Sequence, residues 1–208
     1  MQLHTHIPRW GQRVAVAAVL SLTVATPAGA SGPFDVGAAL AERIAGDRDA
    51  PVTIIEYASF TCPLCAAFHN GDDYVGLKER YIDTGRVKLI YRDFALDTVS
   101  LRASMVARCA GMAGYFERVG ALYQSQKTWA SAEDPTAAMA EIAGLDDAML
   151  KTCLASAELR DGLFRLRQQA TDDGVLFTPS FVVNGTLYPG SYSIEEFSEI
   201  IDPLVADN

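Results

Sequence analysis

The order of elements along the chain predicts an α/β fold: a small mixed sheet covered by helices, with a helical insertion in its middle. Three observations carry this. A strand, a helix and a second strand follow one another between residues 52 and 91. Residues 97–170 then read as helix throughout. A hairpin and a capped helix close the chain after residue 180, and these parts fit together as a layered domain.

The first strand is predicted at residues 52–57, Val-Thr-Ile-Ile-Glu-Tyr, after Ala50-Pro51. Its nearly unbroken apolar character predicts burial on both faces. A helix is predicted over residues 63–83, stopping near Gly85, and a second strand over residues 87–91, Val-Lys-Leu-Ile-Tyr. Such a unit forms a right-handed crossover with parallel strands. From 97 to 170 Ala, Leu, Met, Glu, Arg and Gln dominate, punctuated by Gly111, Gly114, Gly144 and Gly162. Asp134-Pro135 reads as an N-cap followed by proline at the first helical position. Residues 180–183 and 186–188 flank Asn184-Gly185, a two-residue hairpin signal. Ser193-Ile-Glu-Glu196 is a capping box that opens a last helix running to about Val205. The expected division is one discontinuous domain, 31–96 with 171–208, interrupted by an all-helical domain at 97–170.

Residues 1–30 read as an export signal. Arg9 and Arg13 precede an apolar run from Val14 to Ala25, and Ala28-Gly29-Ala30 supplies a small-residue cleavage site. The run is too short for a membrane span of roughly 20 residues, although an uncleaved anchor is the alternative. The 208-residue chain carries 17 Lys and Arg against 26 Asp and Glu, a net charge of −9. Cleavage removes two arginines and no acid, leaving 15 basic residues against 26 acidic ones, a net −11. That balance argues against nucleic-acid partners and a basic membrane surface. With half its residues apolar, the chain is neither disordered nor a disulfide-dense miniature. Export also places its cysteines in an oxidising compartment.

Cys62-Pro63-Leu64-Cys65 lies where the first strand gives way to its helix. Unpaired amides and partial positive charge at a helix N-terminus favour a thiolate, and the thiolate is the form that attacks a disulfide. Pro63 suits the first helical turn. Cys62 is therefore expected to be the exposed nucleophile, and Cys65, one turn on, the buried resolving thiol. A structural disulfide is one alternative. Half a zinc site is another, but zinc wants four ligands, and Cys109 and Cys153 stand far apart with one histidine, His69, left after cleavage. Glu56, inside the apolar strand, reads either as a desolvated proton acceptor for Cys65 or as an edge-strand charge reaching water. His69, four residues after Cys65, reads as a surface or packing residue that could instead tune the thiols. Arg92-Asp93 reads as a strand-end ion pair or cap. Thr178-Pro179 precedes the hairpin, where a cis bond would set Thr178 beside the cysteines. Cys109 and Cys153 read as a structural disulfide or as two buried free thiols.

Taken together, Glu56, Cys62-Pro-Leu-Cys65, Arg92-Asp-Phe-Ala-Leu-Asp97 and Thr178-Pro-Ser-Phe-Val-Val-Asn-Gly185 resemble the DsbA-type thiol:disulfide oxidoreductases, in particular those exported by α-proteobacteria. The resemblance spans about residues 34–206. It implies a thioredoxin fold with an inserted helical domain, mixed disulfides at Cys62 resolved by Cys65, and Glu56 as the buried carboxylate beneath them. It also implies a cis Thr178-Pro179 bond, with Pro63, Leu64, Thr178 and Pro179 at the substrate-binding surface, and it favours a Cys109–Cys153 bridge. Leu64 stands where family members often carry a histidine. Leucine cannot donate a hydrogen bond, so a less depressed Cys62 pKa and a weaker oxidant than His-bearing relatives are expected. Ala95 replaces a proline common in the Arg-Asp-Phe-Pro-Leu pattern.

The function expected on this basis is a periplasmic oxidase that introduces disulfides into reduced secreted polypeptides. A DsbB-type membrane oxidoreductase would reoxidise it. A reductase or isomerase, and a redox-inactive chaperone on the same fold, are the alternatives. No cofactor, metal, nucleic acid or stable membrane insertion is expected, and the protein is expected to be a monomer.

Overall fold

A computed structural model describes Met1, Gln2 and residues 34–206. The expected export signal therefore lies almost entirely outside the described residues. From residue 34 onward the elements are α1 (Val36–Leu40), β1 (Arg43–Ala45), β2 (Val52–Ala58), α2 (Pro63–Asn70), α3 (Asp72–Leu77), a π-helical turn (Lys78–Ile82) and β3 (Val87–Asp93). Next come α4 (Thr98–Cys109), α5 (Tyr115–Gln124), α6 (Gln126–Ala130), α7 (Pro135–Ala143), α8 (Asp147–Ala155) and α9 (Ala157–Asp172). The chain then returns to the sheet with β4 (Ser180–Val183) and β5 (Thr186–Pro189), and ends on α10 (Ile194–Ala206).

The five strands lie in the order β1-β3-β2-β4-β5. β2 and β3 are parallel, as a β-α-β crossover requires; the other neighbours are antiparallel. Central β2 does not bury both faces equally. Val52, Ile54 and Glu56 are fully buried, whereas Thr53 and Ile55 are half-buried. The buried face packs with Phe68, Leu77, Leu89, Phe181, Phe197 and Ile201, each contributing about 1.5–3 kcal/mol by leaving water. The opposite face is thinner, with Ile55 and Val182 against Tyr57, Phe94, Ala170 and Val175.

Three features differ from the sequence expectation. The edge strand β1 is extra: three residues of mixed character give no readable alternation. Its Arg43 is almost wholly buried, donating to the Ala38 and Ala39 carbonyls at 3.1 and 3.0 Å. The expected 63–83 helix is three pieces. At Gly71 the backbone turns extended and its amide bonds back to Phe68 O at 3.1 Å. A side chain there would meet the Ala67 carbonyl at 2.8 Å. Gly162, expected as punctuation, sits inside α9, where a Cβ would meet Leu40 at 2.5 Å; it is a point of close helix contact.

The remaining local signals match the observed geometry. Asp134 caps α7 by accepting from Thr136 N and Ala137 N. Asn184 and Gly185 turn the β4–β5 hairpin with φ of 43° and 90°. Ser193 and Glu196 form the reciprocal box before α10. The helices between β3 and β4 build a second core around Trp129, whose indole donates to Leu122 O at 2.7 Å. This core continues through Phe60, Tyr91 and Tyr123 to Cys62 and Cys65. Among the described residues no helix is long and apolar enough to cross a membrane.

Candidate active site at the start of α2

Strand β2 ends at Ala58, and four residues later Cys62 occupies the N-cap of α2. The cap forms because Pro63 at the first helical position is pre-set for helix and offers no amide of its own. The Cys62 sulfur then accepts the Cys65 amide at 3.4 Å. On its other side the Cys62 thiol donates to the Thr178 carbonyl at 3.3 Å, and the Thr178-Pro179 bond is cis. The corner is held from two further directions. Gln126 Nε2 on α6 donates to the Phe60 and Cys62 carbonyls at 2.8 and 3.0 Å. Thr61 donates its hydroxyl to Asp97 at 2.6 Å. Asp97 in turn caps α4; burial opposes its ionisation, but the bonds from Thr61, Ser100 and Val99 prevail and hold its carboxyl below the usual range.

The two sulfurs differ sharply. A hydrogen bond from the Cys65 side chain is the largest influence on the Cys62 thiol. Burial opposes it, while Thr178 and the Cys65 and Leu64 amides assist, so the thiol is lowered to about 5. Burial is also the largest influence on Cys65, which is pushed far up, with the neighbouring Cys62 sulfur and the Glu56 charge adding. Cys62 can therefore persist as an anion while Cys65 holds its proton. Against expectation, Cys62 is not openly exposed: it is 6% accessible, and Leu64 beside it is 57% accessible. Both cysteines are free thiols, so the geometry is that of the reduced protein.

Glu56 is wholly buried in central β2, which excludes an edge-strand charge reaching water. Its Oε1 meets His69 Nε2 at 2.8 Å, and His69 is buried too, not a surface residue. Arg92 and Asp93 do not pair with each other, because consecutive residues of a strand face opposite sides. Arg92 reaches Glu42 at 2.9 Å, whereas Asp93 turns inward to Arg108 at 2.6 Å. Cys109 on α4 and Cys153 on α8 are joined by a disulfide, with Cα atoms 5.9 Å apart. Sequence reasoning missed Gln126 and the Thr61–Asp97 bond, which depend on which helix folds back over the corner. It undervalued His69, although the four-residue spacing from Cys65 was visible.

Apolar side chains stand open in the segments that carry the site. Besides Leu64, Leu176 and Phe177 precede Thr178 and are 73% and 50% accessible. A cavity of about 180 Å³ lined by Leu96, Asp97, Leu101, Phe164 and Arg167 adjoins the Thr61–Asp97 bond.

A family model described as thioredoxin matches residues 39–203. A relative from Rickettsia felis, provisionally named a protein-disulfide oxidoreductase, is 31% identical over 171 residues; the match covers 80% of this chain but 61% of that one. The chain thus spans less than two thirds of the length of its Rickettsia relatives. A Bacillus anthracis protein, provisionally named disulfide bond formation protein D, is 30% identical over 154 residues, covering 68% of this chain and 69% of that one. The crystal structure of alpha-DsbA1 from Wolbachia pipientis superposes with a TM-score of 0.73 at 28% identity, covering 80% of this chain and 92% of that one.

Proposed function

Because the chain belongs to the thioredoxin family, we propose that it is a thiol:disulfide oxidoreductase that introduces disulfides into secreted polypeptides at Cys62-Pro63-Leu64-Cys65. The observation that carries this reading is the contrast between the sulfurs: one lowered to about 5 at a helix start, its neighbour buried and raised. In the oxidised protein a client thiolate attacks Cys62, the Cys62–Cys65 bond breaks, and Cys65 leaves and takes up a proton. A second client thiolate then attacks the client sulfur of the mixed disulfide. The client disulfide forms, Cys62 leaves as a thiolate, and two electrons have moved from client to enzyme. A stable Cys62 thiolate favours the reduced enzyme and so drives electrons inward, the direction of an oxidase.

Several further assignments belong to this proposal. The Thr178 carbonyl and Pro179, with Pro63 and Leu64, meet an extended client through backbone groups and open apolar surface, with loose sequence preference. Glu56 exchanges the Cys65 proton. The Cys109–Cys153 bridge staples the helices that interrupt the sheet, residues 97–170 forming an inserted domain in a thioredoxin fold built from 31–96 and 171–208. Residues 1–30 direct export to the periplasm, where a DsbB-type membrane oxidoreductase restores the disulfide and the protein works as a monomer.

The test is oxidation of a reduced two-cysteine peptide by the purified, oxidised protein, run beside insulin reduction. Rapid peptide oxidation that C62S abolishes supports the reading. Reduction without oxidation would assign a reductase instead, and client binding that survives C62S with no exchange in the parent protein would assign a chaperone.

A further inference from the structure

The proton that Cys65 gains and loses has to be held inside the protein, because Cys65 is wholly buried. Glu56 lies in the same apolar shell, between Tyr91 on β3 and Phe181 on β4 in the sheet register. Its Oε2 is buried without a hydrogen-bond partner, and its Oε1 bonds His69 Nε2 at 2.8 Å. The two side chains are 0% and 2% accessible. A lone carboxylate in such a place is penalised by several kcal/mol. His69 follows Cys65 by one helical turn on α2. Its ring is fixed, stacked on Tyr123 at 4.6 Å and 17° and tilted against Tyr74 at 4.6 Å.

The other titratable groups facing the pair are Cys65 on α2, Tyr74 on α3, Tyr91 on β3 and Tyr123 on α5. Burial keeps the three phenols neutral. Asp93, farther along β3, is tied to Arg108. Among the described residues Glu56 makes its one side-chain hydrogen bond with His69, whose ring can carry one proton or two.

Resting on the exchange reading above, we propose that Glu56 and His69 act as a single proton-holding unit for Cys65, with His69 as the positioning residue that lets the unit accept and return one proton. During reoxidation the Cys62 thiolate attacks one sulfur of a partner protein's disulfide; that disulfide breaks, its other sulfur leaves as a thiolate, and a Cys62–partner mixed disulfide forms. The Cys65 proton then passes to the pair, whose net charge goes from −1 to 0. The Cys65 sulfur attacks Cys62, the Cys62–Cys65 bond forms, and the bond between Cys62 and the partner sulfur breaks. The partner sulfur leaves with the electron pair and takes a proton from water. Client oxidation runs the same transfer backwards, the pair returning a proton to Cys65.

The experiment mixes the reduced full-length protein, wild type, H69F and H69Q, with oxidised glutathione across a pH series. Acid quenching and mass spectrometry then follow the protein–glutathione mixed disulfide, separating its formation at Cys62 from its resolution by Cys65. H69F keeps an aromatic ring between the tyrosines; H69Q keeps a donor for Glu56 but cannot take up a proton. Resolution is expected to slow by about tenfold or more at neutral pH in both, the lower end of what a positioned acid–base group contributes. The pH dependence of Cys62 alkylation is expected to hold its midpoint. Wild-type resolution in H69F, or full rescue by H69Q, would overturn the inference, the latter reducing His69 to a prop for Glu56. A wild-type protein that never forms the mixed disulfide would overturn the exchange reading as well. Should H69F fail to fold, the wild type still decides. Its His69 ring resonances, identified by their absence in H69Q, are expected to titrate differently in the dithiol and disulfide forms; identical curves would overturn the proposal.

Discussion

Replacing Cys65 by alanine separates two explanations for the acidity of Cys62. The helix start supplies amides, and the Cys65 amide does reach the Cys62 sulfur at 3.4 Å. Yet the side chain of Cys65 is the larger influence in lowering the Cys62 thiol to about 5. A hydrogen bond to a charged group contributes about 1.5–3 kcal/mol. Since about 1.36 kcal/mol corresponds to one pH unit, C65A is expected to raise the Cys62 midpoint by about 1 to 2 pH units. C65S still offers a donor and is expected to move it much less. The assay is ultraviolet thiolate absorbance, or iodoacetamide alkylation, of the reduced protein against pH. A C65A midpoint equal to the wild type would refute the reasoning, because the amides alone would then account for the anion.

Three more outcomes are expected. The folded Cys62 pKa lies below the roughly 8.5 of a free cysteine, so its contribution to the stability of the reduced protein is complete above that pH and is lost as pH falls through about 5. Urea unfolding of the reduced protein should show this slope, and C62S should lack it. The double variant C109A/C153A removes a bridge between residues 44 apart in sequence, with a loss of up to about 4 kcal/mol on the chain-entropy account; a urea midpoint shift equivalent to less than about 1 kcal/mol would contradict that account. D93A leaves the Arg108 charge buried and unpaired, at a cost of about 3–5 kcal/mol. By contrast, E42A, which breaks the half-exposed pair with Arg92, should cost under about 1 kcal/mol. Equal thermal shifts for the two would sink the comparison.

The sheet, its parallel pair and the hairpin were legible because each rests on local chemistry: the apolar run of β2, the Asn184-Gly185 turn, the Ser193 and Glu196 box. The break at Gly71 was not. The pattern from Pro63 onward is continuously helical, and only the chain around Ala67 rules out a side chain there. The cysteine pair was readable from its place at a strand-to-helix corner. What surrounds it was not, because Gln126 comes from a distant helix and Glu56 and His69 sit 13 residues apart on different elements. For Glu56 the sequence left two readings level, and strand order decides between them: β2 is central, so its side chain has no route to water.

The clasp that Gln126 makes on the Phe60 and Cys62 carbonyls has a practical bearing on transplanting the chemistry. Moving Cys-Pro-Leu-Cys onto another strand–helix corner would carry the sulfurs and leave behind the amide that fixes their backbone. Reactivity in this protein is a joint property of two stretches of chain more than sixty residues apart. A graft would have to import both, or let the corner drift.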